Sequence, residues 1–273
     1  MLYLSILCKS DLIFMFSDDL HQIKNYHSEE QYMNYALITG ASRGIGKGIA
    51  LSLAKAGYNL IITCKSNADD LANVAAEATN YGSTVHTYVG DISTTKACEQ
   101  LFSYINEKDI TIDVLINNAG ISYVGLLQNM TYEEWNNCIN TNLSSIFYTC
   151  KHCIPQMIKK NSGKIINISS VWGNVGASCE VAYSATKGGV NSFTKALAKE
   201  LAPSGIQVNA IAFGLIDTDM NNNLSQEDKE DIINDIPVGK IGTPNDAGQM
   251  VLSLLSSPNY MTGQIITMDG GWI

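Results

Sequence analysis

The chain has 273 residues and is 45% hydrophobic, which is enough to bury one sizeable core without requiring a second domain. Only 16% of its residues are charged, the formal net charge is -9, and Arg43 is the sole arginine, which excludes the clustered basic footprint that nucleic acid demands. The seven cysteines (Cys8, Cys64, Cys98, Cys138, Cys150, Cys153 and Cys179) are odd in number and scattered through apolar segments, as in a reduced cytoplasmic protein rather than a disulfide framework.

Residues 1–32 differ in character from the rest of the chain. The first sixteen are apolar but broken by Lys9, Ser10 and Asp11, short of the roughly 18 apolar residues of a membrane span. They also lack a basic leader and a small-residue cleavage site. No membrane partner is expected. Residues 1–32 read as a weakly ordered extension ahead of a natural start at Met33, and residues 33–273 as one domain.

From Met33, β-rich runs at 35–39, 59–64, 84–89, 113–117, 164–169, 207–212 and 264–268 alternate with helical patterns at 45–56, 68–81, 94–107, 132–160, 182–202 and 244–255. Strands alternating with helices imply parallel pairing through crossover helices. The expected fold is a single α/β doubly wound domain with a seven-stranded, mostly parallel sheet covered on both faces. After the first strand comes Thr39-Gly-Ala-Ser-Arg-Gly-Ile-Gly46, placed between a strand and a helix. Glycines there permit a tight turn and close approach of a pyrophosphate, and the helix N-terminus favours the anion. The second strand ends in Thr63-Cys-Lys-Ser66, with no carboxylate to bind a ribose 2′-hydroxyl. Lys65 and Arg43 are instead suited to a 2′-phosphate, which predicts NADPH.

Cys150 and Cys153 form a C-x-x-C inside a helical pattern, without the surroundings of a redox motif or a second pair for zinc, so no metal is expected. Ser170 follows the fifth strand, where it can hydrogen-bond a substrate carbonyl. Tyr183 and Lys187 stand four apart at the start of a helix and share a face. A free tyrosine titrates near pH ~10, and a nearby ammonium is expected to lower that value. Residues 221–237 carry Glu227, Asp228, Glu230, Asp231 and Asp235 against Lys229, and read either as a solvated amphipathic helix with Leu224, Ile232 and Ile233 facing inward or as an acidic lid.

Taken together, residues 39–46, Asn117-Asn-Ala-Gly120, Asn142 within Asn140-Thr-Asn-Leu-Ser-Ser145, Ser170, Tyr183 and Lys187 resemble the short-chain dehydrogenase/reductase superfamily in identity, order and spacing. The likeness runs from about Met33 to Ile273. It is closer to the 3-oxoacyl-acyl-carrier-protein-reductase-like branch through Ile168-Ser-Ser170, Asn209-Ala-Ile211, Ile216-Asp-Thr-Asp-Met220 and Asp269-Gly-Gly-Trp272. The resemblance implies that Tyr183 protonates a ketone oxygen and that Lys187 binds the nicotinamide ribose and tunes Tyr183. Ser170 would orient the carbonyl, and Asn142 would support a relay water at a bent helix. It also implies cofactor contacts from Gly40, Ser42, Arg43, Gly44, Ile45, Gly46, Lys65, Asp91, Asn117, Ala119, Gly120 and Thr218, and a homotetramer. One departure is Phe213-Gly214, where the family usually has Pro-Gly, which is expected to loosen that loop and to put an aromatic beside the nicotinamide.

The segment between Ser170 and Tyr183 is expected to line the substrate entrance, with Trp172, Cys179 and Glu180 unusual for a reductase of acyl thioesters. Gly176-Ala-Ser-Cys-Glu180 followed by Val-Ala-Tyr-Ser184 looks like the elongation factor P 5-aminopentanone reductases. Their ketone sits on a modified lysine ending in an amine, which Glu180 could pair. The alternatives are a 3-oxoacyl-acyl-carrier-protein reductase, or an NADPH-binding regulator without turnover. Acyl carrier protein is acidic, whereas this chain has excess acid, although Lys151, Lys159, Lys160 and Lys164 could supply a local patch.

Overall fold

The computed structural model describes residues 34–221 and 225–273. The expected extension over 1–32 lies outside the described residues. The chain alternates β1 (Tyr35–Ile38), α1 (Gly44–Lys55), β2 (Asn59–Cys64), α2 (Ala68–Thr79), β3 (Val85–Val89), α3 (Thr95–Glu107) and β4 (Ile112–Asn117). It continues through α4 (Tyr132–Ile139), α5 (Ser145–Lys160), β5 (Gly163–Ser170), a short α6 (Trp172–Val175) and α7 (Val181–Leu201). β6 (Ile206–Phe213), α8 (Gln226–Asp235), α9 (Pro244–Leu255) and β7 (Ile265–Met268) complete it.

The seven strands form one sheet in the order β3-β2-β1-β4-β5-β6-β7, and every neighbouring pair is parallel. Alternate side chains go to opposite faces. Leu60 and Ile62 of β2 pack with Val114 and Ile116 of β4 under α1, α2 and α9. Leu37, Ile61 and Leu115 face the other way, against α3, α5 and α7. Central strands are therefore apolar on both faces, and all six residues of β2 are buried. This is the burial that a parallel sheet with helices on both sides requires.

The single long helix expected over 132–160 is broken. A π turn at Asn140–Ser144 separates α4 from α5. Its cause is a contact between segments: the Asn142 side chain is fully buried and bonded to both polar groups of Ile121 in the loop after β4, which holds the widened turn in place. The acidic segment forms α8, started by a capping box in which Ser225 and Asp228 exchange hydrogen bonds. Among the described residues no helix is long and apolar enough to cross a membrane.

Candidate active site

Because the strands are parallel, the loops after them open at one edge of the sheet. β1 lies between β2 and β4, so strand order reverses there, and the loops after β1 and β4 flank the crevice where doubly wound sheets receive ligands.

The loop after β1 is shaped for close backbone approach. Gly40 and Gly44 have φ of 66° and 55°, a left-handed conformation that glycine adopts without strain. Gly46 has no room for a side chain: a Cβ there would stand 2.2 Å from the Gly40 oxygen. Arg43 precedes α1 without a side-chain cap, and the first turn carries no acid. The orphan N–H groups are thus left for an anion. Two residues not assigned to the site from sequence hold this loop. Thr39 Oγ1 accepts from the amides of Asn118 and Ala119, each at 3.0 Å. Asn118 Nδ2 donates to the oxygens of Thr39 and Gly40, each at 2.9 Å. Thr39 opens the glycine run and Asn118 lies within Asn117–Gly120, so both belong to motifs legible in the sequence.

Ser42 and Ile45 are half-buried on the same turn, and Ile45 packs against the core. Thr218 also reaches the glycine loop, since a Cβ on Gly44 would meet its methyl at 3.2 Å. Arg43 pairs with Asp219 at 3.6 Å, and Lys65 with Asp91 at 2.8 Å. Burial raises the Asp91 carboxyl, but hydrogen bonds from Lys65 and Ser93 outweigh it and hold the group below its ordinary value. Asn117 is placed differently from a cleft-lining side chain. It is buried, donates to Asn167 Oδ1 at 2.8 Å and accepts from Thr149 Oγ1 at 2.7 Å. Its amide ties β4 to β5 and α5, and Asn118 beside it takes the position toward the loop.

Across the crevice, Ser170 at the end of β5 lies near the Tyr183 phenol at the start of α7, close enough to favour its charged form. The Lys187 ammonium lies 5.5 Å from the centre of the Tyr183 ring and donates to the Ile168 oxygen at 2.8 Å. Gly120 closes the group, because a Cβ there would lie 3.5 Å from Asn142 Oδ1 and 3.6 Å from Lys187 Nζ. Asn142 accepts the Ile121 amide and donates to the Ile121 oxygen, each at 2.8 Å, and to Thr186 Oγ1 at 3.1 Å. Thr186 in turn donates to the Tyr183 backbone carbonyl oxygen at 2.7 Å. Thr186 is a further link that sequence reasoning missed.

The electrostatics correct one expectation. Lys187 does not lower Tyr183 here. Burial pushes the Tyr183 phenol above its usual value, Ser170 opposes this, and the charge of Glu180 adds to the rise. Burial also lowers Lys187 to about 8, against a small opposing effect of Cys138. Desolvation disfavours both charged forms and is the largest influence on each. The result is a neutral phenol, which is the form that donates a proton.

On the entrance side, Trp172 is half-buried and its amide donates to Ser170 Oγ at 3.2 Å. Cys179 has φ 63°, unusual for a non-glycine residue, and its oxygen accepts from the Gly125 amide at 2.8 Å. Glu180 accepts from Ser122 Oγ at 2.7 Å. Phe213 departs from expectation. It is the last residue of β6, paired with Ser170 and Met268, and only 2% exposed. The ladder constrains it, and its ring joins the core instead of standing in the cleft. Cys150 and Cys153 are buried on α5, and burial pushes Cys150 up to about 12 and Cys153 well above its ordinary value. They behave as apolar packing.

The sequence pattern of the family described as short chain dehydrogenase matches residues 34–229. The chain belongs to the short-chain dehydrogenases. It is similar to the uncharacterized oxidoreductase YmfI of Bacillus subtilis, 40% identical over 239 residues, which span 87% of this chain and 98% of that one. It is likewise similar to the 3-oxoacyl-[acyl-carrier-protein] reductase FabG of Staphylococcus aureus, 40% identical over 237 residues, 86% of this chain and 96% of that one. These relatives place it on the FabG-like side of the short-chain dehydrogenases. A solved structure from Agrobacterium tumefaciens, described as a candidate gluconate dehydrogenase, superimposes with TM-score 0.83 at 32% identity, over 88% of this chain and 95% of that one. Membership makes this short-chain dehydrogenase an oxidoreductase acting on the alcohol or ketone group with a nicotinamide cofactor.

Proposed function

We propose that the protein is an NADPH-dependent reductase of the 5-aminopentanone-modified lysine of elongation factor P. The observation that carries the substrate is Glu180, a half-buried carboxylate held by Ser122 and close enough for its charge to raise Tyr183. A carboxylate beside the proton donor suits a substrate ending in an ammonium, and a neutral acyl chain gives it nothing to pair.

The uncapped start of α1, the glycine loop and the two cations fit a phosphorylated dinucleotide. When bound, reduced nicotinamide supplies the hydride. The chain's own groups do the rest: Ser170 orients the ketone, neutral Tyr183 gives the oxygen its proton, and Lys187 holds the ribose and restores that proton. Gly40, Ser42, Gly44, Ile45, Gly46, Ala119, Gly120 and Thr218 would hold the cofactor, with Arg43 and Lys65 on its 2′-phosphate. The intact Ser170, Tyr183 and Lys187 set favours an enzyme over a silent regulator. Phe147, half exposed on α5, supports a homotetramer in which the long helices meet symmetry mates.

A second reading, reduction of a 3-oxoacyl chain on acyl carrier protein, is favoured by the FabG relatives, which match this chain along most of their length. NADPH consumption by the purified protein separates the two, with acetoacetyl thioester and ketone-modified elongation factor P assayed side by side. Preferential turnover of the modified factor is expected. Preferential turnover of the thioester overturns the first reading in favour of the second.

A further inference from the structure

The terminal Asp269-Gly-Gly-Trp272 takes no part in proton transfer or in the glycine loop, yet it is tightly built. Asp269 accepts from the amides of Gly271 and Ile273, each at 2.9 Å. Gly270 and Gly271 take φ of 71° and 84°. A Cβ on Gly270 would stand 2.6 Å from Val238 and 2.8 Å from Ile236, so the turn lies directly against the segment after α8. That segment is also bonded to it, from the Val238 amide to the Gly270 oxygen at 3.2 Å. This turn carries the Trp272 ring to 5.2 Å from the Trp172 ring, at an interplanar angle of 60°.

The backbone of Trp172 is joined to the site, since its amide donates to Ser170 Oγ at 3.2 Å, and Ser170 is near enough to Tyr183 to oppose the rise of its phenol. The indole pair is therefore built on the segment that leaves Ser170, one ring from that segment and the other brought to it by the terminal turn. Both tryptophans remain half-buried. Rigid aromatic surface left partly open beside a few convergent polar groups is how small-molecule sites hold carbon chains.

We infer that Trp272 is a specificity-determining residue that forms, with Trp172, the wall against which the alkyl chain next to the substrate ketone lies. This deepens the reductase reading and rests on it. Both candidate substrates carry such a chain, so the inference does not depend on which of them is used.

The test is calorimetric binding of 2-alkanones of four to eight carbons to the full chain loaded with NADP+. Wild-type affinity is expected to rise roughly two- to fourfold per added methylene, the increment of a CH₂ leaving water. Trp272→Ala should flatten that slope, and Trp272→Phe should keep most of it, while NADP+ affinity stays the same in all three. Trp272→Leu keeps bulk without the ring and is expected to fall between them, which preserves the test should the alanine variant misfold. An unchanged slope in the alanine and leucine variants, the absence of any slope in wild type, or a loss confined to NADP+ affinity overturns the inference. Failure of the reductase reading looks different: the slope is present in wild type and depends on Trp272, but no ketone drives NADPH oxidation.

Discussion

At the residue scale, the site is a pair of ionisable groups that burial pushes toward neutrality from opposite directions. Tyr183 is raised, so it is protonated at neutral pH, and Lys187 is lowered to about 8, so it loses its charge just above physiological pH. A reductase needs the phenol as acid and the ammonium as the group that restores its proton. Tyr183→Phe removes the donor without touching the glycine loop. It should lower turnover by roughly 10²–10⁴-fold with NADPH affinity within about twofold of wild type, read by absorbance kinetics and fluorescence titration. Retained turnover would remove Tyr183 from the chemistry. The lysine sets a pH prediction whose sign is fixed. As pH rises through about 8, Lys187 deprotonates, so ketone reduction at saturating NADPH should fall with an inflection there. Lys187→Arg, which stays charged, should move that inflection out of the range. The same inflection in the variant would assign it elsewhere. Stability follows a related sign. The folded state binds the Lys187 proton less readily than the unfolded chain, so the cost of burying this charge, present below pH 8, is relieved as pH rises toward the ordinary lysine value.

At the element scale, the site depends on three segments being held against one another: the loop after β4, the π turn, and the first turn of α7. Asn142 joins all three, through both polar groups of Ile121 and through Thr186 to the Tyr183 backbone. Asn142→Ala leaves the Ile121 amide and carbonyl without these partners, and should cost about 2–3 kcal/mol by denaturant unfolding. It should also lower kcat more than it changes NADPH affinity. A variant with wild-type stability and kcat would show that the π turn holds itself. On the opposite side of the crevice, Gly46→Ala places a methyl 2.2 Å from the Gly40 oxygen and 2.5 Å from Asn118 Nδ2. Relief requires moving backbone, so the expected outcome is a loss of at least about 1–3 kcal/mol and greatly weakened cofactor binding, measured by thermal melts with and without NADPH. A normal response of the variant to NADPH would refute the close approach.

At the scale of the whole molecule, the alternation of strands and amphipathic helices made the seven-stranded sheet legible, because the central strands are apolar enough to declare two covered faces, while β3 and β7 at the edges are only partly buried. The Ser170, Tyr183 and Lys187 set was legible for a different reason, as an ordered motif at strand and helix ends. What the sequence did not reveal depends on contacts between distant segments. The inward turn of Asn117 needs Asn167 and Thr149, the π turn needs Ile121, and the rise in Tyr183 needs the burial that only the assembled fold supplies. The same applies to coenzyme choice, where four loops meet as two ion pairs. Arg43 and Lys65, after β1 and β2, pair with Asp219 and Asp91, after β6 and β3. Both pairs are well exposed, and such pairs contribute only about 0–1 kcal/mol each. A 2′-phosphate can therefore replace a carboxylate on either cation at little loss. Binding to the folded state alone stabilises it, by about 2.7 kcal/mol at a hundredfold excess over Kd. NADPH should then raise the melting temperature by several degrees, and more than NADH does at equal concentration. Arg43→Ala combined with Lys65→Ala should erase the difference by weakening NADPH and leaving NADH nearly unchanged. Salt should narrow the wild-type difference as it screens the exposed cations. Equal shifts with both coenzymes in wild type would show that these cations do not read the 2′-phosphate, and would leave their carboxylate partners as their only role.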